Sequence, residues 1–153
     1  MSKITIKPIT IENIYKCIGL KVAEEQTNYI APNVLSIAES KVNSCYTPYA
    51  IYAEEDVVGF VMTDYDPSLE VRNKYWVPRM MIDVHYQGKG YGKQAMREVI
   101  NLLSRNEDCE YIRLSIEPEN ISALRFYESL GFVNTGEMLE GEEVILELVV
   151  HKK

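Results

Sequence analysis

The chain has 153 residues, of which 46% are apolar, 25% charged and 10% aromatic, and these proportions exclude collagen-like, disordered and coiled-coil chains. A length of roughly 150 residues suits one domain that buries about two-thirds of the surface its unfolded form exposes, with no metal or disulfide staple required. Sixteen Lys and Arg against 23 Asp and Glu leave a formal charge of −7, which disfavours nucleic acid and anionic lipid and favours cationic partners.

Cys17, Cys45 and Cys109 are odd in number, scattered, and form no Cys-x-x-Cys pair. That pattern argues against a disulfide framework and for a reducing compartment. With only His85 and His151 beside them, no set of soft ligands has zinc-site spacing, so no metal is expected. The opening residues carry no apolar stretch of a signal peptide, and no run approaches the ~20 residues of a membrane helix. The cytoplasm is the expected location.

Residues 4–7 alternate apolar and polar, predicting a strand stopped by Pro8. Thr10 is placed to cap a helix whose apolar face is Ile11, Ile14, Tyr15 and Ile18, ending near Gly19. Residues 21–33 resist assignment, and Val34, Leu35, Ile37, Ala38 and Val42 then return with helical spacing. Strands are predicted over 49–53 and 57–63, joined by the tight turn Glu54-Glu55-Asp56. A polar loop over 64–73 leads to a long strand, 75–84, interrupted by Pro78. With the glycine cluster at 88–92 comes a helix that shows Tyr91, Ala95, Met96, Val99, Ile100 and Leu103 on one face. A strand over 111–116 precedes a helix over 120–130, closed by Gly131 in the position of a left-handed C-terminal cap. Two last strands, near 132–137 and 144–149, flank an acidic turn. The order β-α-α-β-β-β-α-β-α-β-β is that of an α/β domain with a mixed sheet.

The stretch that carries chemistry is Gln87-Gly-Lys-Gly-Tyr-Gly92, set between a strand and an amphipathic helix. Glycines at alternate positions let backbone N–H groups point into one concavity, and a helix N-terminus adds partial positive charge. A phosphate or pyrophosphate is the natural guest, with Lys89 and Lys93 at its edge. A Walker A loop fails here: three residues, not four, separate Gly88 from Gly92-Lys93, and Gln94 stands where a hydroxyl is needed. A dinucleotide fingerprint is a weak match, because the spacing is Gly-x-Gly-x-Gly and several strands precede it. A plain connector whose glycines ease packing is the remaining alternative.

The Gln87–Gly92 loop resembles the Gln/Arg-x-x-Gly-x-Gly/Ala signature of the GNAT superfamily of N-acetyltransferases. Asn120-Ile-Ser-Ala-Leu-Arg-Phe-Tyr127-Glu-Ser-Leu-Gly131-Phe132 resembles that family's Asn-x-x-Ala-x-x-x-Tyr-x-x-x-Gly-Phe segment. The resemblance implies the acyl-CoA N-acyltransferase fold, an α/β (α+β) domain over residues 1–153. About seven strands in a mixed, mostly antiparallel sheet are then flanked by about four helices. It implies acetyl-CoA as co-substrate, with its pyrophosphate on Gln87, Gly88, Lys89, Gly90, Tyr91, Gly92 and Lys93. Its pantetheine arm lies along the backbone of Ile82, Asp83 and Val84, and Asn120 either caps its helix or contacts that arm. Tyr127 resembles the family's general acid: a phenol near ~10 can protonate a departing thiolate whose thiol titrates near ~8.5. Seven residues, roughly two turns, separate Asn120 from Tyr127, so both fall on one helix face.

The acceptor is then a primary amine, whose deprotonation at neutral pH costs roughly 4–5 kcal/mol. Glu24, Glu25, Asp64, Asp83 and Glu117 are candidate bases, and no sequence signal isolates one. Residues 26–33 and the stretches 50–62 and 75–83 resemble the bacterial spermine/spermidine acetyltransferase subgroup. Within the acceptor region, Glu24, Glu25, Tyr29 and Trp76 are candidates to hold an ammonium by charge and cation–π contact. The −7 charge and eleven tyrosines suit a polyamine. Acetylation of another small amine, aminoglycoside-like, or of a protein or peptide amine is the alternative, as is a non-catalytic CoA-binding module. Members of the family are often homodimers.

Overall fold

The computed structural model describes residues 2–27 and 31–151. Its elements run in the order β1 (Ile4–Pro8), α1 (Ile14–Ile18), α2 (Asn33–Val42), β2 (Tyr46–Ala53), β3 (Asp56–Tyr65) and β4 (Tyr75–Ile82). They continue with α3 (Tyr91–Ser104), β5 (Tyr111–Ile116), α4 (Ile121–Ser129), β6 (Val133–Leu139) and β7 (Glu143–Val149). All seven strands join one sheet in the order β1-β2-β3-β4-β5-β7-β6. Every neighbouring pair is antiparallel except β4 and β5. The expected mixed, mostly antiparallel seven-stranded sheet with four helices is the observed one.

Both faces of the sheet are covered. On one, Ala95, Met96, Val99 and Leu103 of α3 are buried against Ile4, Ile51, Val58, Val61 and Ile112, with Leu124 and Tyr127 of α4 packed alongside. On the other, Cys17 of α1 and Ile37 of α2 meet Ala50, Val57, Phe60 and Met62. β3, covered on both sides, is buried from Val57 to Thr63, which accounts for its nearly unbroken apolar sequence. No helix among the described residues is long and apolar enough to cross a membrane.

Three expectations need correction. The first helix is only five residues long, and its N-cap is Asn13, not Thr10. Thr10 instead accepts the Glu12 amide, while Asn13 accepts the Thr10 amide and donates to the Pro8 carbonyl. Of the expected apolar face, Ile11, Tyr15 and Ile18 are exposed and Ile14 is half-buried, while Asn13 and Cys17 are buried. Strand β1 also runs through Pro8, which pairs with Tyr49 as the last residue of an edge strand, a place where a missing N–H is tolerated.

The relation of β4 to β5 shapes the site. These strands are in register only at Trp76↔Arg113. Two residues further along β4 stands Pro78, where the register with β3 also shifts, between Met62 and Asp64. Proline offers no N–H to a ladder. Beyond that point the two parallel strands separate, and the sheet opens into a cleft.

Candidate active site

The cleft is a cavity of about 730 Å³ lined by β4 from Val77 to Ile82, by β5 from Leu114 to Ile116, and by the loop and helix start at 86–93. Helix α4 contributes Asn120, Ser122, Ala123, Phe126 and Tyr127, and the segment before α2 contributes Val22, Glu25 and Gln26.

The glycine loop lies at one end of the cavity. Gly88 and Gly90 sit at φ +80° and +81°, backbone that side-chain-bearing residues rarely adopt, and a Cβ at either would meet nothing within 4 Å. Gly90 is the N-cap of α3 and supplies no side-chain cap. The first N–H groups of the 14-residue α3 have no intrahelical partner, and the residues that carry them, Tyr91, Gly92 and Lys93, line the cavity. Such amides, with Lys93 beside them, form an anion cradle.

Asn120 and Tyr127 both line the cavity, as their spacing predicts. Asn120 caps α4: its Oδ1 accepts the Ala123 amide at 3.2 Å and the Ser122 hydroxyl at 3.2 Å. Tyr127 packs edge-on between Phe126 and Phe132, with ring centroids 5.0 and 5.5 Å away. Burial pushes its phenol up to about 12, so the group stands protonated at neutral pH.

Of the other candidates, Ile82, Gln87, Gly88, Gly90, Tyr91, Gly92, Lys93, Glu25 and Glu117 line the cavity, whereas Asp83, Val84, Lys89, Glu24, Asp64 and Trp76 do not. Trp76 marks the closed end of the cleft, where β4 and β5 still pair. Tyr29 lies outside the described residues. The backbone of 82–84 is largely committed within the protein: Asp83 N–H donates to the Val58 carbonyl, Val84 N–H to the Lys21 carbonyl, and the Ile82 carbonyl accepts Gln87 Nε2. The Asp83 carboxylate is buried and accepts the amides of Lys21 and His85 and the ring nitrogen Nδ1 of His85, each at 2.9 Å. Burial alone would raise its proton affinity, but these hydrogen bonds outweigh that and hold it below the usual carboxylate range. It is a structural anion and a poor base.

Glu117 differs. Burial and the neighbouring carboxylates of Glu143, Glu119 and Glu142 raise its proton affinity. Glu143, which accepts the Ser115 hydroxyl at 2.6 Å, lines the same cavity. Sequence reading did not single out Glu143, Ser115, Arg79 or Gln26. They come from three strands and a turn, and no local motif joins them.

Known proteins of similar sequence are acetyltransferases. The family model described as Acetyltransferase (GNAT) family matches residues 12–132. Two relatives from Bacillus subtilis are each 36% identical over 148 residues, covering 94% of this chain and 97% of their own. One, from subspecies natto strain BEST195, is a probable spermine N(1)-acetyltransferase. The other, from strain 168, is a spermine/spermidine N(1)-acetyltransferase. A crystal structure of an aminoglycoside acetyltransferase in complex with coenzyme A and kanamycin shares the fold, with TM-score 0.79 and 17% identity over 96% of this chain and 95% of that one. Matched across both of its signature segments and nearly end to end with its relatives, the chain belongs to the GNAT family and is an acetyltransferase.

Proposed function

We propose that the chain transfers the acetyl group of acetyl-CoA to a primary amine of a polyamine such as spermidine or spermine. The observation that carries the chemistry is the convergence, on one cavity, of an uncapped glycine loop, Tyr127 and the carboxylates of Glu25, Glu117 and Glu143. The polyamine assignment is supported by the two relatives at 36% identity.

The residues present fit the co-substrate. Amides from Gly88 to Lys93 would bind its diphosphate, since they meet no side-chain cap and no Cβ crowds them. The edge of β4 left without a strand partner beyond Trp76, over 77–82, would hold its extended arm. Asn120 stands beside that edge. When bound, acetyl-CoA supplies an acetyl group activated as a thioester.

Tyr127 holds its proton on the phenolic oxygen and delivers it to the departing sulfur. A phenol raised by burial is a weaker acid than one in water, but a thiolate leaving beside it would be a stronger base for the same reason. Glu117 is the carboxylate best matched to accept the amine's proton, because its raised proton affinity narrows the gap to an alkylamine. Glu25 and Glu143 attract the remaining ammonium groups of a polycation.

The test is a panel of spermidine, spermine, kanamycin and a peptide amine, each mixed with acetyl-CoA while thiol release is followed. Saturable turnover of a polyamine with none on the others is the expected result. Turnover confined to kanamycin or the peptide overturns the polyamine reading, and no binding of coenzyme A overturns the cradle.

A further inference from the structure

The segment that brings Glu25 to the cavity is fastened to the glycine loop by one side chain. Gln26 Oε1 accepts the Ala23 amide at 3.1 Å, closing the turn at Glu24–Gln26, and also accepts Gln87 Nε2 at 2.8 Å. The same Gln87 nitrogen donates to the Ile82 carbonyl at 2.9 Å. The orientation of both amides follows from these partners. A backbone N–H can only donate, so the Gln26 atom facing Ala23 is its oxygen. A carbonyl can only accept, so the Gln87 atom facing Ile82 is its nitrogen.

A second join lies at the start of the segment, where the Lys21 amide donates to Asp83 and the Lys21 carbonyl accepts the Val84 amide at 2.7 Å. Residues 21–26 are thus docked on the end of β4 and the first residue of the loop, 61 positions away in the case of Gln26 and Gln87. Gln87 immediately precedes Gly88, which like Gly90 takes the left-handed backbone that glycine adopts freely.

We propose that Gln26 is a positioning residue that transmits occupancy of the glycine loop to Glu25, so that a diphosphate on the loop raises the affinity of the acceptor end for a cationic amine. The inference rests on the acetyltransferase reading above. An anion seated on the loop amides fixes the backbone of Gln87 and so its Nε2. Gln26 then holds the turn in place before the amine arrives, and less freedom remains to be lost when it binds. By linkage the amine strengthens coenzyme A binding by the same factor.

Calorimetry on the full chain with coenzyme A and spermidine tests this. In the wild type, saturating coenzyme A tightens spermidine binding by about fivefold or more. In Gln26→Leu that ratio falls to within about twofold of unity, while coenzyme A still binds. Gln26→Glu, whose carboxylate can accept both N–H groups, restores the ratio. A Gln26→Leu ratio equal to the wild type's overturns the inference. Hydrogen exchange on the wild type gives a second reading that does not depend on the folding of Gln26→Leu: coenzyme A protects amides 22–27, and unchanged exchange there despite bound coenzyme A overturns the coupling alone. Protection of 22–27 without any spermidine binding supports the coupling and overturns only the polyamine.

Discussion

The carboxylate of Asp83 accepts the backbone amide of Lys21 at 2.9 Å, across 62 positions of sequence. This contact joins the residue after β4 to the segment that begins at Lys21, while the two from His85 hold the carboxylate locally. Its pH dependence follows from the direction of the shift. Asp83 is held below the ordinary carboxylate range, so its contribution is fully present above the unfolded value of about 3.9 and is lost as pH falls through the folded value. Asp83→Asn is expected to lower stability by about 1–3 kcal/mol at pH 7. The deficit should stay constant down to about pH 5 and shrink below the ordinary carboxylate range. Urea unfolding of both proteins from pH 7 to pH 3 measures it, and a deficit that persists unchanged at pH 3 contradicts the assignment.

Tyr127 has no assigned structural task beyond its ring packing against Phe126 and Phe132. Tyr127→Phe keeps that packing and removes only the hydroxyl. Turnover is expected to fall by about 10²–10⁴-fold, with coenzyme A binding within about twofold of the wild type. Steady-state kinetics beside calorimetry separates the two quantities. A loss of coenzyme A affinity equal to the loss of turnover would assign the hydroxyl to binding.

The cap made by Asn120 and its proposed contact with coenzyme A can be separated by substitution. Asn120→Ala removes a cap whose Oδ1 accepts the Ala123 amide, at a cost of about 1 kcal/mol. Asn120→Asp keeps the cap but places a negative charge in the cleft. The aspartate variant should match the wild type in thermal stability while binding coenzyme A more weakly. Equal affinity in both proteins would confine Asn120 to the cap.

How far the sequence announced this depends on the distance over which each feature is encoded. The glycine loop and the segment from Asn120 to Tyr127 are local: spacing along one turn or one helix puts Gly88, Gly90, Lys93, Asn120 and Tyr127 on one cavity. The hairpin at Glu54 is local as well, with Glu54 itself at φ 54°. The first helix departs from its sequence pattern because Ile11, Tyr15 and Ile18 imitate an amphipathic stripe. The direction that is buried is instead set by Asn13 bonding the Pro8 carbonyl and by Cys17 packing under the sheet. Contacts such as Gln26 with Gln87, or Lys21 with Asp83, depend on two distant segments meeting, and no single-sequence pattern encodes them. Trp76 looked like an ammonium partner by residue type alone, yet the register at Arg113 places it where the cleft is closed.

Two glycines give opposite predictions for the same substitution. At Gly90 an added Cβ meets nothing within 4 Å, so Gly90→Ala carries only the conformational cost of φ +81°, about 1–2 kcal/mol. At Gly59, in the middle of β3, the Cβ would lie 2.5 Å from the Met81 carbonyl oxygen and 2.9 Å from Ile82 Cδ1. The obstacle there is the backbone of β4, which cannot swing aside as a side-chain tip can. Gly59→Ala should therefore cost about 3 kcal/mol or more. Because β4 lines the cleft, the displaced strand should also weaken coenzyme A binding in whatever fraction remains folded. Denaturant unfolding and calorimetry of the two alanine variants test the pair. A Gly59→Ala protein no less stable than Gly90→Ala would mean that β3 and β4 are not held at the close approach described.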